Sequence, residues 1–222
     1  QLGRGEPITD SAIVISSMVA AVMLRLSSHE DIIEFSKHSS KPVINALSNE
    51  SHPCQILADL MTYQEERGSI QGKKIAWIGD GCNVCQTYMQ AAEIFDFELS
   101  IATPAGYEPS EAFSQKYKKN INFFNNPMQA CQEADVVVTD VWTSMGQESE
   151  KKQRESSFKG FQVDQLMMNQ AKADAVFMHC LPAYRGIEVS SEVIDGSQSV
   201  VWSEAENRLH AQKSLLLYLI ED

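Results

Sequence analysis

Reactive side chains in this sequence stand directly after short apolar runs. Asp140 follows the run Asp135–Thr139, and Cys180 follows the run Ala175–His179. A carboxylate in such a position can pair with an ammonium group, and a thiol beside it could act as a base or orient a proton. A lone buried Cys is more often chemically inert, so the spacing alone leaves both interpretations of Cys180 open.

A second group of polar residues suits an anionic or carbonyl-containing ligand. His52 and Gln55 are three residues apart at the start of the predicted helix Pro53–Arg67, so they can point the same way. An imidazole and a carboxamide there could donate to a carbonyl oxygen and accept from an amide, although a capping His and a surface Gln would look the same. Arg25 breaks a buried-type apolar run, and its guanidinium suits a phosphate or a carbonyl oxygen. Arg208 lies early in the last predicted helix, where an Arg is usually solvated.

A glycine turn joins the predicted strand Lys74–Ile78 to the predicted helix Asn83–Phe95. The segment Gly79-Asp80-Gly81 stands where a dinucleotide-binding fingerprint would lie, but Val84 replaces the third glycine. A tight strand-to-helix turn alone explains both glycines. A third interpretation is that backbone N–H groups and the Asn83 side chain hold a small anion such as a carboxylate.

Two further patterns have both chemical and structural interpretations. Cys82 and Cys85 form a C-x-x-C pattern at a helix start, where a thiol pKa is lowered, but no flanking redox motif accompanies them. Since no second pair of Cys or His residues has ligand spacing, the sequence predicts no metal site. The loop from Asp140 to Gly146 could bind a carboxylate through Ser144 and its backbone N–H groups, or could be an ordinary loop.

Strands and helices alternate along the sequence, and this alternation predicts how these residues are positioned. Near-continuous apolar strands between helices are typical of a parallel sheet covered on both faces, so the predicted fold class is α/β. In such folds, functional residues collect in the loops after the carboxyl ends of the strands. The loops to test are those after Leu24, Leu47, Ile78, Val138 and Phe177.

Two local predictions concern the ends of the chain. Asp10 is a plausible N-cap for a helix over roughly Ser11–Ala20. Near the other end, the short apolar run Ser199–Trp202 predicts a strand. The amphipathic run Ala205–Ile220 then predicts a closing helix.

Composition excludes several classes of protein. Of the 222 residues, 43% are hydrophobic and 22% charged, which is unlike a disordered or collagen-like chain. The net charge of −12 argues against nucleic-acid and anionic-membrane partners, which require clustered Lys and Arg. The five cysteines are an odd number in a long chain, so they favour a reducing cytoplasm over a secreted disulfide framework. No apolar run approaches the ~20 residues that span a membrane.

Taken together and in this order, the motifs resemble those of ornithine carbamoyltransferases, in the aspartate/ornithine carbamoyltransferase superfamily. The matching stretches are Gln1–Pro7, His52–Asp59, Trp77–Gly81 with Asn83, Asp140–Gly146, His179–Gly186 and Glu204–Arg208. Among these, Ser144-Met145-Gly146 is characteristic of the ornithine branch, and His179–Gly186 is typical of bacterial-type members. The resemblance therefore runs from one end of the chain to the other.

The resemblance implies transfer of a carbamoyl group from carbamoyl phosphate to the side-chain amine of ornithine, with no cofactor and no metal. By position, the residues that resemble the carbamoyl-phosphate-binding set are Arg25, His52, Gln55, Cys180, Leu181 and Arg208. Those that resemble the ornithine-binding set are Asn83, Asp140, Ser144 and Met145. Catalytic roles are implied for Asp140 and Cys180 beside the reacting amine, and for Arg208 as a donor to the developing oxyanion.

One family motif is absent from the sequence. The Ser-x-Arg-Thr-Arg phosphate loop does not occur in these 222 residues, and in the family it precedes the segment that matches Gln1–Pro7. We therefore expect two Rossmann-like lobes, the first incomplete. The expected domains are a remnant of the carbamoyl-phosphate domain over 1–67, the ornithine domain over 68–203, and a C-terminal helix over 204–222 that returns to the first domain. The 222-residue chain alone is expected to be inactive or nearly so.

The resemblance also implies partners and a location. The substrates are small molecules, and the intact parent is expected to be a cytoplasmic homotrimer in arginine biosynthesis. One alternative is a carbamoyltransferase for another amine, such as putrescine or an acylated ornithine, although the Ser144-Met145-Gly146 loop argues against it. The other is a non-catalytic module that binds an amino acid or a nucleotide.

Overall fold

A small parallel sheet forms the first part of the molecule in this computed structural model, which describes residues 5–144 and 148–220. Strand β1 (Val22–Arg25) pairs with β2 (Val43–Leu47), with Val22 opposite Val43. Helices α1 (Ile8–Ser16) and α2 (His29–His38) pack together beside it. Apolar side chains of this sheet and these helices make a small separate core: Ala12, Val22, Leu24, Ile32 and Phe35.

A long helix connects this unit to a second, larger sheet. Helix α3 spans Pro53–Arg67, begins with a proline in its first turn and ends at Gly68. The second sheet has five strands in the order β5-β4-β3-β6-β7, and each pair of neighbours is parallel. Its strands are β3 (Lys74–Ile78), β4 (Glu98–Ala102), β5 (Ile121–Phe124), β6 (Val136–Thr139) and β7 (Val176–His179).

Helices connect these strands and cover the sheet. They are α4 (Asn83–Phe95), α5 (Glu111–Lys116), α6 (Pro127–Ala130), a 3₁₀ turn at Glu148–Glu150, α7 (Lys151–Ser157), α8 (Gln165–Met168), α9 (Ser191–Ile194) and α10 (Val201–Ile220). Alternate residues of β3 enter two different cores: Trp77 lies with Tyr88 of α4, and Ile78 lies with Phe177 and Met168. A strand buried on both faces is the pattern of a parallel sheet between two helical layers, so the predicted α/β class is confirmed.

The order of the strands defines a crevice. Strand β3 pairs with β4 on one side and with β6 on the other, so the chain changes direction across the sheet between β3 and β6. In open parallel sheets, ligands bind at such switch points, outside the carboxyl ends of the strands. The loops after Ile78 and Thr139 therefore flank the natural binding position.

The last helix returns from the second sheet to α3. Asn207 of α10 donates through Nδ2 to Thr62 Oγ1 at 2.9 Å and to Glu65 Oε2 at 2.7 Å. The outer side of α10 carries an apolar groove of about 650 Å³ that also touches strand β1. Its lining residues are Met23, Arg208, Leu209, Gln212, Lys213, Leu216, Leu217 and Ile220.

Two local predictions are wrong. The first helix begins at Ile8 after Pro7, so Asp10 lies inside its first turn and is not the N-cap. The run Ser199–Trp202 is not a strand, because only an isolated bridge joins Ser199 to Phe177 and α10 already begins at Val201. A short apolar run reads alike at the start of a buried helix and in a buried strand. Among the described residues, no helix is both long enough and apolar enough to cross a membrane.

Candidate active site

The turn after β3 requires glycine at two positions, Gly79 and Gly81. Gly79 has φ +132°, a conformation that side-chain-bearing residues rarely adopt. A Cβ at Gly81 would clash with the backbone nitrogen of Pro109. Any residue other than glycine would therefore push away the loop that precedes α5. These two requirements account for the Gly79-Asp80-Gly81 pattern without a dinucleotide.

A carboxylate and two thiols meet at the switch point. Asp140, which is 7% exposed, follows β6 and accepts a hydrogen bond from the Cys180 thiol at 3.1 Å between Oδ1 and Sγ. The backbone N–H of Val141 donates to the same oxygen at 2.7 Å. Cys82, at the N-terminal end of α4, lies 3.6 Å from Oδ2. The predicted proximity of Asp140 and Cys180 is therefore present in the structure.

The environment of these thiols keeps them protonated. Burial, followed by the negative charge of Asp140, raises the pKa of the Cys180 thiol well above its usual range. Burial likewise raises the pKa of Cys82 and of Cys85, with carboxylates nearby adding to the effect. A reactive redox pair needs lowered thiol pKa values, so the redox interpretation of the C-x-x-C pattern has no support here. In the Cys180–Asp140 pair, the thiol is the donor and the carboxylate is the acceptor.

Two arginines and a histidine form a cationic corner where β1, α3 and α10 meet. Arg25 ends β1, His52 precedes α3, and Arg208 lies in α10. Burial, then the positive charges of Arg208 and Arg25, lowers the pKa of the His52 imidazole to about 4. His52 is therefore neutral at pH 7, and its buried Nδ1 has no hydrogen-bond partner among the described residues.

Gln55 is buried and not a surface residue. Its Nε2 donates to Asp59 Oδ1 at 2.8 Å and to Glu204 Oε1 at 3.0 Å. Its Oε1 is buried without a hydrogen-bond partner among the described residues. A buried carbonyl oxygen of this kind is an unused acceptor, which a ligand with an N–H group would satisfy.

The predicted ornithine positions lie at the start of α4 and in the loop after β6. The Asn83 side chain is engaged within the protein, because Nδ2 donates to Ser48 O at 2.7 Å and Oδ1 accepts from Val84 N at 2.9 Å. Ser144 is the last described residue of its loop, and Met145 lies outside the described residues. A cavity of about 200 Å³ adjoins this loop; it is lined by Trp142, Thr143, Ser144, Lys151, Glu155, Tyr184, Ile187 and Glu188.

His179 is fixed between two protein groups. Its Nδ1 accepts the N–H of Leu181 at 2.9 Å, so Nε2 carries the hydrogen that faces Glu188 Oε1 at 3.2 Å. Donor atoms of Asp140, His179 and Cys180 lie within 4.8 Å of one another. Since both ring nitrogens are already engaged, this cluster offers a metal two ligands at most, and we assign none.

Sequence reasoning missed a buried ion pair that supports the site. Arg154 of α7 donates through Nη1 to Asp80 Oδ2 at 2.9 Å and to the carbonyl of Trp142 at 3.0 Å. It thereby ties the turn after β3 to the loop after β6. Asp80 lies two residues after the buried strand β3, with no oppositely charged residue nearby in the sequence, and this is a signal for a tertiary partner. Arg154 lies in a polar segment that gives no sign of burial.

Comparison with known families decides between the remaining interpretations. A sequence model described as the carbamoyl-P binding domain of aspartate/ornithine carbamoyltransferase matches residues 1–65, and one described as the Asp/Orn binding domain matches residues 71–219. The chain belongs to the aspartate/ornithine carbamoyltransferase family. The switch-point site thus lies in the part of the chain that matches the second of these domains.

Relatives agree with this family along the whole chain. The ornithine carbamoyltransferase of Ruthia magnifica subsp. Calyptogena magnifica is 64% identical over 220 residues, which cover 99% of this chain and 74% of that protein. The crystal structure of ornithine carbamoyltransferase from Burkholderia thailandensis E264 superposes with a TM-score of 0.91 at 49% identity, covering 99% of this chain and 72% of that one. The structure of the ornithine carbamoyltransferase from Pyrococcus furiosus superposes with a TM-score of 0.94 at 46% identity. The match covers 100% of this chain and 73% of that one.

Proposed function

We propose that this carbamoyltransferase-family chain serves the transfer of a carbamoyl group from carbamoyl phosphate to the side-chain amine of L-ornithine, which gives L-citrulline and phosphate. The observation that carries the proposal is the Asp140–Cys180 pair at the switch point, with a buried acceptor carboxylate and a protonated thiol at 3.1 Å. An amine needs such an acceptor, because only its neutral form attacks a carbonyl carbon. Relatives named ornithine carbamoyltransferase, at up to 64% identity, support the choice of ornithine.

The reaction divides between an amine side and an anion side. On the amine side, the ammonium group loses a first proton and its nitrogen bonds to the carbamoyl carbon. As the carbon–oxygen bond to phosphate breaks, the second surplus proton on that nitrogen passes to the departing phosphate. We assign the first proton to Asp140, since the raised pKa of Cys180 makes that thiol a poor base and a suitable orienting donor. Asn83, Ser144 and Met145 are proposed to hold the rest of ornithine.

On the anion side, the cationic corner is proposed to hold carbamoyl phosphate. Arg25 and Arg208 supply positive charge near the neutral His52, which suits a phosphate and a developing oxyanion. The unused Oε1 of Gln55 suits the carbamoyl N–H groups. The segment of Cys180 and Leu181 would complete the contacts with the carbamoyl amide.

Domain limits and assembly remain part of the proposal. We propose a carbamoyl-phosphate part over 1–67, an ornithine part over 68–203 and a returning helix over 204–222; the two family matches change over between 65 and 71. We also propose a homotrimer. The free state of all five cysteines supports a cytoplasmic location. No nucleic-acid or membrane partner is proposed.

Citrulline formation by the full-length protein tests the proposal. Ornithine should be the preferred acceptor over putrescine and N-acetylornithine, and Asp140→Asn should lower kcat by roughly 10²–10⁴-fold, because the proton acceptor is lost. Asp135→Asn is the matched control: Asp135 is buried to a similar degree, 8% exposed, but precedes β6 at the opposite edge of the sheet. A preference for another amine would show that ornithine is not the substrate. Calorimetric binding of NAD, without binding of ornithine, would favour a non-catalytic binding module.

A further inference from the structure

A pair of buried carboxyl groups joins four elements behind the proposed site. Asp59 of α3 and Glu204 of α10 are both fully enclosed, at 3% and 1% exposure. Gln55 Nε2 donates to both, at 2.8 Å and 3.0 Å. The hydroxyl of Tyr88, in α4, donates to Asp59 Oδ2 at 2.7 Å, and the backbone N–H of His179 donates to Glu204 Oε2 at 2.9 Å.

Within the described part of the chain, no cation is hydrogen-bonded to this pair. Every donor just named is neutral, and none of the ion pairs among residues 5–144 and 148–220 includes Asp59 or Glu204. Two ionised carboxylates that share one amide donor in a buried site would repel each other strongly. A single proton held between the two groups removes that repulsion and adds a hydrogen bond.

We propose that Asp59 and Glu204 are positioning residues: they share one proton, carried by Glu204, and together fix the Gln55 side chain so that its Oε1 faces the carbamoyl group. The inference rests on the proposed function, because it assumes that Gln55 contacts carbamoyl phosphate. With Nε2 held by two acceptors, the amide of Gln55 cannot flip without losing both hydrogen bonds. Its oxygen is therefore presented as an acceptor before any ligand arrives.

The charges around the pair agree with a proton on Glu204. Burial, then the charge of Asp59, raises the pKa of Glu204 well above its usual range. Burial raises the pKa of Asp59 only to about 6, because hydrogen bonds from Tyr88, Gln55 and Glu204 and the charge of Arg208 favour its ionised form. Three further titratable groups act on the pair: Tyr88, which donates to Asp59, Arg208, whose charge favours the ionised form of Asp59, and Cys180, whose thiol is protonated.

The same pair connects the two halves of the proposed reaction. Glu204 Oε2 holds the N–H of His179, the residue before Cys180, while its Oε1 holds Gln55. The acceptor for the carbamoyl group and the thiol that faces Asp140 are thus aligned on one hydrogen-bonded unit. A substitution in this unit should therefore weaken the binding of carbamoyl phosphate more than the binding of the amine substrate.

Steady-state kinetics of the full-length protein test this role. With saturating ornithine, Asp59→Asn should raise the KM for carbamoyl phosphate about 10-fold or more, since an amide cannot accept from both Gln55 and Tyr88. Glu204→Gln keeps a neutral donor toward Asp59 but offers one acceptor oxygen for the two N–H groups of Gln55 and His179, so its KM should rise, by less than that of Asp59→Asn. Asp135→Asn, a buried carboxylate outside the site, should leave this KM unchanged.

A double-mutant cycle separates positioning from a merely structural role. If Asp59 acts through Gln55, Asp59→Asn should raise the KM much less in a Gln55→Ala background than in the wild-type background. A full multiplicative effect overturns the positioning role, and an equal rise for Glu204→Gln and Asp59→Asn overturns the assignment of the proton. If Asp59→Asn does not fold, Tyr88→Phe, which removes one hydrogen bond from Asp59, should give a smaller rise in KM that also shrinks in the Gln55→Ala background. A wild-type protein that forms no citrulline overturns the proposed function and this inference with it.

Discussion

In the proposed reaction, two side chains determine where the proton of the amine goes. Sequence motifs place Asp140 and Cys180 together but leave open which of them accepts a proton. In the structure, the Cys180 thiol donates to the Asp140 carboxylate, and burial and the Asp140 charge raise the pKa of the thiol, which supports Asp140 as the proposed acceptor. Spacing in the sequence cannot give this result, since it depends on how deeply each group is enclosed.

His52 gives a prediction about pH. Its pKa is about 4 in the folded protein and about 6.5 in an unfolded chain, because burial and the charges of Arg208 and Arg25 disfavour the cation. Between these two values the unfolded state binds more protons than the folded state. Stability therefore falls as pH drops from about 6.5 to 4, by at most about 3 kcal/mol from this group, and the contribution is constant above that range.

Two measurements check the His52 prediction. NMR titration of the ring C–H signals should place the His52 midpoint near pH 4. Urea unfolding at several pH values should give a steeper loss of stability for wild type than for His52→Gln, which is neutral throughout. A midpoint near 6.5, or parallel curves for the two proteins, would show that the imidazole is not in the cationic corner.

At the scale of elements, much of the fold could be predicted from sequence. The limits of α3, β3 and α4 agree with the predictions residue for residue, because Pro53, Gly68 and the Gly79–Gly81 turn punctuate the chain there. The start of α10 could not be predicted, since Val200 and Val201 pack on the sheet and look like a strand. Arg154 could not be predicted either, because its burial depends on a tertiary partner about 70 residues away.

The contacts of Arg154 with Asp80 and Trp142 predict a contribution to stability. Arg154→Met leaves Asp80 buried without its cation, so the free energy of unfolding should fall by about 3 kcal/mol or more. Asp80→Asn in the same protein should recover part of this loss, because burial already raises the pKa of Asp80 to about 6. Urea unfolding measures the free energy of unfolding of both variants.

Arg185 supplies the matched control for that prediction. It forms a two-pronged pair with Asp195, at 2.6 Å and 2.9 Å, but both side chains are exposed to solvent. Solvent screens such a pair, so Arg185→Met should change stability little. Equal losses for the two arginines would mean that burial does not distinguish them, against the structure.

The whole molecule brings residues from distant parts of the chain to one edge of two sheets. Arg25 is the last residue of its strand, and His52, Asp140 and Cys180 lie after strands, in or beside the loops predicted from sequence. Arg208 joins them only because α10 returns to α3, a packing that depends on Asn207 and Glu204 and that periodicity alone does not reveal. On the outer side of the molecule, α10 and β1 together line an exposed apolar groove of about 650 Å³.

The 222-residue chain should form citrulline at least about 100-fold more slowly than a family member that carries the Ser-x-Arg-Thr-Arg loop. The reason is chemical: the sequence contains no Ser-x-Arg-Thr-Arg loop, and losing one set of preorganised donors to the phosphate side costs on the order of 10²–10³ in rate. The proposed ornithine positions are all present in the chain. Calorimetry should therefore detect ornithine but not carbamoyl phosphate, with circular dichroism as the control for folding. Citrulline formation at the rate of that family member would show that the residues in this chain suffice for both substrates.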